Sequence, residues 1–343
     1  MKTGKELHSL HGPVRSVRVE TAQLRQQDGQ LTEEPWFSHS ITFNRDGDVV
    51  EQNYRNPDGS EWRAVNDYSD SGQLLATRHH EASGALISEL GYVYDDKGRL
   101  IAESYITQEG EVTTLTTYAY DEEGRKTKIQ EFAFAEGENA FIGIEGMNTG
   151  VSASGAKRIE TRFDERGDAI EVKVFDAAGT LTNRVEITRD EHGNPLEETQ
   201  YVGDTSPFGH CSGEASRTEE AVELTEDQKA EYEAEIARMF APGTAMSKHV
   251  QTYDEEDRLT ESRLMMMGME VNRRTFAYDE FGNKSEEVSY RMGGAFEGKA
   301  IFARDYDNRG NWTKELVSSA SSRDAEFGLS TPVHVTRRTI IYS

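Results

Sequence analysis

The chain has a single cysteine, Cys211, in 343 residues. That excludes an intrachain disulfide framework and any Cys-x-x-Cys metal site. Apolar runs are scarce too: none approaches the roughly 18 residues of a membrane-spanning helix. The first residues, MKTGKELHSLHGPVRSV, lack the apolar stretch of about 7–15 residues that a signal peptide needs. Taken as written, the sequence reads as cytoplasmic and not inserted in a membrane. Cations are outnumbered, 38 basic against 63 acidic residues for a net charge of −25. Binding to nucleic-acid phosphates or anionic lipid needs clustered Lys and Arg, so neither partner is expected. The simplest use of the acidic excess is solubility.

Catalytic and metal-binding patterns are missing as well. No HExxH, GxSxG or phosphate-cradling glycine loop is present, and the paired acids (Asp95-Asp96, Glu122-Glu123, Glu286-Glu287) lack calcium-loop spacing. Adjacent residues on a strand point to opposite faces, so His79-His80 cannot chelate one metal. His210-Cys211 is no better placed for a catalytic dyad. The expectation is a non-enzymatic protein with no metal and no cofactor.

What the chain has is a repeat. Tyr94-Asp95-Asp96-Lys97-Gly98-Arg99-Leu100 recurs as YDEEGRK at 120–126, FDERGDA at 163–169, YDEEDRL at 253–259, YDEFGNK at 278–284 and YDNRGNW at 306–312. Weaker copies are FNRDGDV at 43–49, YSDSGQL at 68–74 and RDEHGNP at 189–195. The residue types specify a turn. Asp hydrogen-bonds its own backbone two residues on, and Gly supplies a positive φ. The aromatic before it suits a pleated, half-buried surface, and pairs such as Tyr92/Tyr94, Tyr118/Tyr120 and Phe276/Tyr278 keep the period of two that marks a strand. Between these turns lie others with Gly but no Tyr-Asp, at Gly59, Gly84, Gly110, Gly179 and Gly268. Gly72, Gly84, Gly98, Gly110 and Gly124 follow at steps of 12, 14, 12 and 14, and Gly167, Gly179 and Gly193 repeat the 12 and 14. The unit is a two-strand hairpin of about 26 residues, and repeats of this length mean an array.

These copies resemble the YD-repeat family, also called Rhs repeats, over roughly residues 14–317. The resemblance implies long antiparallel hairpins that spiral into a shell, and it implies no enzyme. Members of that family are often exported, so removal of a leader would place the chain at the cell surface or outside. The family's toxin branch ends its shell with an Asp-Pro-containing segment. No Asp-Pro occurs here, so the chain does not read as a toxin.

The reading is therefore an all-β protein of roughly 18 antiparallel strands. Large sheets twist, curl or close, which predicts a spiral or partly open barrel-like shell forming one domain over 1–343. One insertion interrupts it at 202–249. Thr225 to Gln228 has the form of a capping box, and Tyr232, Ile236, Met239 and Phe240 fall on one helical stripe that Pro242-Gly243 stops.

For function the sequence predicts a binding scaffold with a carbohydrate or another protein as ligand. Trp62, Tyr92 and Tyr118 are candidates to stack on sugar rings, although core packing uses the same residue types. Met265, Met266 and Met267 are candidates for an adaptable contact, against a core-filling role. The alternative is an accessory or immunity-like partner of a polymorphic toxin system, with the acidic surface masking a basic protein.

Overall fold

The computed structural model describes residues 4–27, 30–132, 141–143, 150–152, 157–204, 234–235, 238, 240–321 and 330–343. They divide into two compact units, Met1–Thr113 with Arg273–Ser343, and Thr114–Asn272. Both are antiparallel β structure. Each hairpin begins where the sequence places a turn.

In the first unit the strands are β1 (Val14–Gln27), β2 (Gln30–Phe43), β3 (Val49–Arg55), β4 (Glu61–Tyr68), β5 (Leu74–Glu81), β6 (Leu86–Tyr94) and β7 (Leu100–Thr107). The second unit holds most of β8 (Val112–Tyr120), then β9 (Lys126–Phe132), the short pair β10 (Phe141–Gly143) and β11 (Gly150–Ser152), β12 (Arg158–Phe163), β13 (Ala169–Phe175), β14 (Leu181–Arg189), β15 (Pro195–Val202), β16 (Ala245–Tyr253) and β17 (Leu259–Met266). The chain returns to the first unit within β18 (Met269–Tyr278) and ends with β19 (Lys284–Arg291), β20 (Phe296–Tyr306), β21 (Trp312–Ser321) and β22 (Thr331–Tyr342). A single helical turn, α1 (Gly4–Leu7), precedes β1.

The ladder of the first unit runs β19-β20-β21-β22-β1-β2-β3-β4-β5-β6-β7. That of the second runs β8-β9-β12-β13-β14-β15-β16-β17. A spiral would leave the first and last strands at free edges. Instead β1 pairs with β22 as well as with β2, Val19 facing both Arg338 and His39. The expected spiral is corrected here: the terminal strands satisfy each other's backbone groups.

The turns obey one rule. Asp95 N–H donates to the Arg99 carbonyl and Gly98 N–H to the Asp95 carbonyl, each at 2.9 Å. The Asp95 carboxylate accepts the N–H groups of Lys97 (2.9 Å) and Arg99 (2.8 Å). Gly98 has φ of 77°, the left-handed region that only Gly enters freely. The turns without Tyr-Asp close identically, with Gly59, Gly84, Gly110 and Gly179 donating to the carbonyl three residues back. At Gly59, Gly84 and Gly110 it is the same backbone turn with a different first residue, and at Gly179 the first residue is again an Asp, Asp176.

Packing falls short of one buried and one wet face. The first unit buries Leu10, Val14, Val17, Val19, Ile41, Phe43 and Val49, and the second buries Phe132, Ile159, Phe163, Val172, Val174, Val185 and Ile187. Away from these clusters strands lose the alternation: every residue of β7 is half-buried. The insertion is narrower than 202–249, since β15 continues to Val202 and β16 starts at Ala245. Most of its expected helix lies outside the described residues. Ala234, Glu235 and Arg238 are helical.

Candidate binding site

Strand register assembles a row of side chains on one face of the first unit. Crossing from β22 to β5, the facing positions are Arg338, Val19, His39, Tyr54, Trp62 and Glu81. Alternation places Phe37 and His79 on the same face, two residues along β2 and β5 from members of the row. The rings pack in sequence. His39 stacks on Tyr54 at 5.6 Å and 19°, Tyr54 on Trp62 at 3.9 Å and 12°, and His79 meets Trp62 edge-on at 5.7 Å. Phe37 touches both His39 and Tyr54. Each of these rings is only half-buried, so the row keeps a reachable surface.

The row ends in a cation. The Arg338 guanidinium lies 3.5 Å from the centre of the Trp312 ring. Its Nε and Nη1 are buried without a hydrogen-bond partner among the described residues. Burial lowers the Arg338 pKa to about 10, with Glu315 opposing the shift and Arg304 adding to it. Glu315 itself is taken by Arg304, 2.5 Å away. Burial likewise lowers the His39 pKa, helped by His8 and Arg338, and lowers that of His8, helped by Arg338. At neutral pH the end of the row therefore carries one cation and two uncharged imidazoles. His39 Nδ1 is also buried without a partner among the described residues. Tyr54 donates its hydroxyl to Gln52, and burial raises its pKa.

Of the residues singled out in the sequence, Trp62 belongs to this row. Tyr92 lies farther along the same unit on β6, half-buried, facing Glu103 of β7. Tyr118 is in the second unit with Lys126 and Lys128 about 5.6 and 5.9 Å from its ring. Met265 faces Lys248 across β16–β17, and Met266 faces Ser247. Met266 and Met267 are exposed, Met267 having φ of 49° in a tight turn with Gly268. The sequence reading missed His39 and Tyr54. Tyr54 and Trp62 lie four residues either side of Asp58 in the turn between β3 and β4, a symmetry that pairs them, whereas the register shift between Thr42 and Phe43 breaks it for His39. It missed Arg338 and Trp312 because no local pattern reveals that β22 lies against β1.

No family model matches the chain, and no curated protein matches it. Among solved structures it is similar to a porin-like protein from Bacteroides uniformis, at 11% identity and a TM-score of 0.34, over 96% of this chain and 98% of that one. It is also similar to TcdB2-TccC3, at 14% identity and a TM-score of 0.31, covering 89% of this chain but only 16% of that one. At such scores these likenesses carry no weight for function.

Proposed function

We propose that this chain is a non-enzymatic binding scaffold of YD-repeat hairpins whose aromatic row in the first unit holds a carbohydrate. The supporting observation is the Tyr54–Trp62 pair, two nearly parallel rings 3.9 Å apart on adjacent strands, half-buried rather than enclosed. Because the rings cover one another's faces, the row offers a sugar its aromatic edges and polar tips, with polar neighbours to meet the sugar hydroxyls. His39, His79 and Gln52 are such neighbours.

The strands suit a protein in water. Arg78 pairs with Asp67 and Glu89 on one face of β4–β6, while Asn66 and Thr77 hydrogen-bond each other on the opposite face. A strand facing lipid needs an apolar outer face at alternate positions. Here charged or polar side chains occupy both.

The test is a glycan array on the intact chain, followed by calorimetry of the best binder with the wild type and Trp62→Ala. Loss of about tenfold or more in affinity is expected from a variant that still unfolds cooperatively, the scale of one aromatic contact. Unchanged binding by the variant would remove the row as the site. The exposed Met266, Met267 and Met269 favour a second reading, a protein ligand held by the second unit as in the immunity-like alternative. Recovery of a defined partner from native lysate, lost on replacing Met266 and Met267 with Ser, would support it.

A further inference from the structure

Arg338 is distinguished among the described residues by two buried guanidinium nitrogens, Nε and Nη1, without a hydrogen bond. Acids outnumber bases 63 to 38, so a guanidinium is left without a carboxylate for reasons other than supply. Arg78, Arg99, Arg125, Arg184, Arg258, Arg304 and Arg337 each have one within 3 Å. Arg338 has the face of Trp312 and no hydrogen bond to a described residue through Nε or Nη1. Leaving buried N–H groups of a cation unmatched costs free energy that a neutral side chain of similar length would not. Its one nearby carboxylate, Glu315, is already bonded to Arg304.

We propose that Arg338 receives a carboxylate of an acidic oligosaccharide whose other rings lie along Tyr54 and Trp62. This rests on the carbohydrate reading above and adds the charge of the ligand. The guanidinium is pre-oriented by its stack on Trp312, which fixes the plane in which a carboxylate must arrive. Arg338 is half-buried as a residue and its Nη2 is not among the sealed nitrogens, so an incoming carboxylate meets the guanidinium at Nη2. Register sets the size. Arg338 to Tyr54 is three strand spacings and Arg338 to Trp62 four, on the order of 14–19 Å, so the ligand is an oligomer. No acidic side chain occupies the row between Arg338 and Trp62; Glu81 lies beyond it.

Calorimetry of the intact chain with tetragalacturonate and with its fully methyl-esterified form separates charge from ring contacts. The acid is expected to bind about tenfold or more tightly than the ester, as one charge-assisted hydrogen bond predicts, and the difference should shrink with added salt. Arg338→Met should bring the acid down to the ester's affinity, and should melt at the same or a higher temperature because an unmatched charge is removed. Trp62→Ala should weaken acid and ester in parallel. Equal binding of acid and ester by the wild type overturns the proposal and leaves the carbohydrate reading standing. Binding of neither glycan, with inorganic phosphate bound in an Arg338-dependent way, overturns both and marks a plain oxyanion site. The acid–ester comparison needs no variant, so it decides the matter even if Arg338→Met fails to fold.

Discussion

Asp257 occupies the turn position where the other copies have Gly, and it does so at φ of 60°. From sequence, Asp257→Gly is expected to be neutral or mildly stabilising, since Gly enters that region without strain. The structure reverses the expectation. Asn194 donates to one Asp257 carboxylate oxygen at 2.8 Å, and His192 Nδ1 lies 3.1 Å from the other, so this side chain ties the β14–β15 turn to the β16–β17 turn. Asp257→Gly should therefore lower the melting temperature, and Asn194→Ala should do so too, with no additivity between them. His192 also tests the contact, because its hydrogen bond and charge attraction to Asp257 raise its pKa above 6.5. That contribution is complete below pH 6.5 and disappears as pH rises through the folded value; Asp257→Gly should abolish the dependence.

The opposite sign applies to His39 and His8, whose folded pKa values lie below 6.5. The unfolded chain takes up these protons first, so stability should fall as pH drops from 6.5 through the folded values. Melts between pH 7.5 and 5 should show this decline, and His39→Gln should reduce it. At Gly98 a side chain meets only the flexible end of Gln73, at 3.3 Å, so strain at φ of 77° is the main penalty. Gly98→Val should cost about 1–3 kcal/mol, measured by urea melts. A melt like the parent's would remove the left-handed turn as the organising device.

Between elements, the tyrosine of several repeats reaches back to the previous one. Tyr68 donates its hydroxyl to the Val49 carbonyl at 2.8 Å, and Tyr94 donates to Leu74 at 2.9 Å, in each case to the first strand residue after the preceding Tyr-Asp-type turn. The copy at 189–195 has Arg in place of Tyr, and Arg189 donates through Nε and Nη2 to the Ala169 carbonyl at the equivalent place. Later copies use the Asp instead: Tyr306 donates to Asp279 at 2.5 Å, and Tyr342 to Asp307. In the copies ending at Tyr68, Tyr94 and Arg189 the same backbone carbonyl position is bonded, by a different residue type in the last. Tyr94→Phe should cost about 1 kcal/mol. Arg189→Leu should cost a similar amount and Arg189→Tyr less, by urea denaturation with an unchanged slope. If Arg189→Tyr is as damaging as Arg189→Leu, the equivalence is wrong.

For the whole chain, the boundary of the insertion is a matter of backbone pairing. Val202 exchanges hydrogen bonds with Gly243 and Thr244, and Asp204 N–H donates to Leu181, so a deletion must spare these residues. Removing 206–239 and bridging with a short Gly-Ser linker should leave a single cooperative unfolding transition, since β15 and β16 already form a hairpin without it. A lost or split transition would make the insertion part of the core. Circular dichroism of either form should be dominated by antiparallel β signal.

The sequence alone determined the β class, the place of nearly every turn and the residue at the left-handed position. Those are properties of a few neighbouring torsions, and Asp-x-x-Gly after an aromatic encodes them within one turn. Trp62 was legible as a candidate for the same reason, being a large aromatic on a strand between two readable turns. Tertiary structure decided that Val19 faces His39 on one side and Arg338 on the other. Residues more than three hundred positions apart meet only through the register of β1 with β22, which period-two patterning leaves free to slide by any even number of residues. The charge at the end of the aromatic row comes from that register.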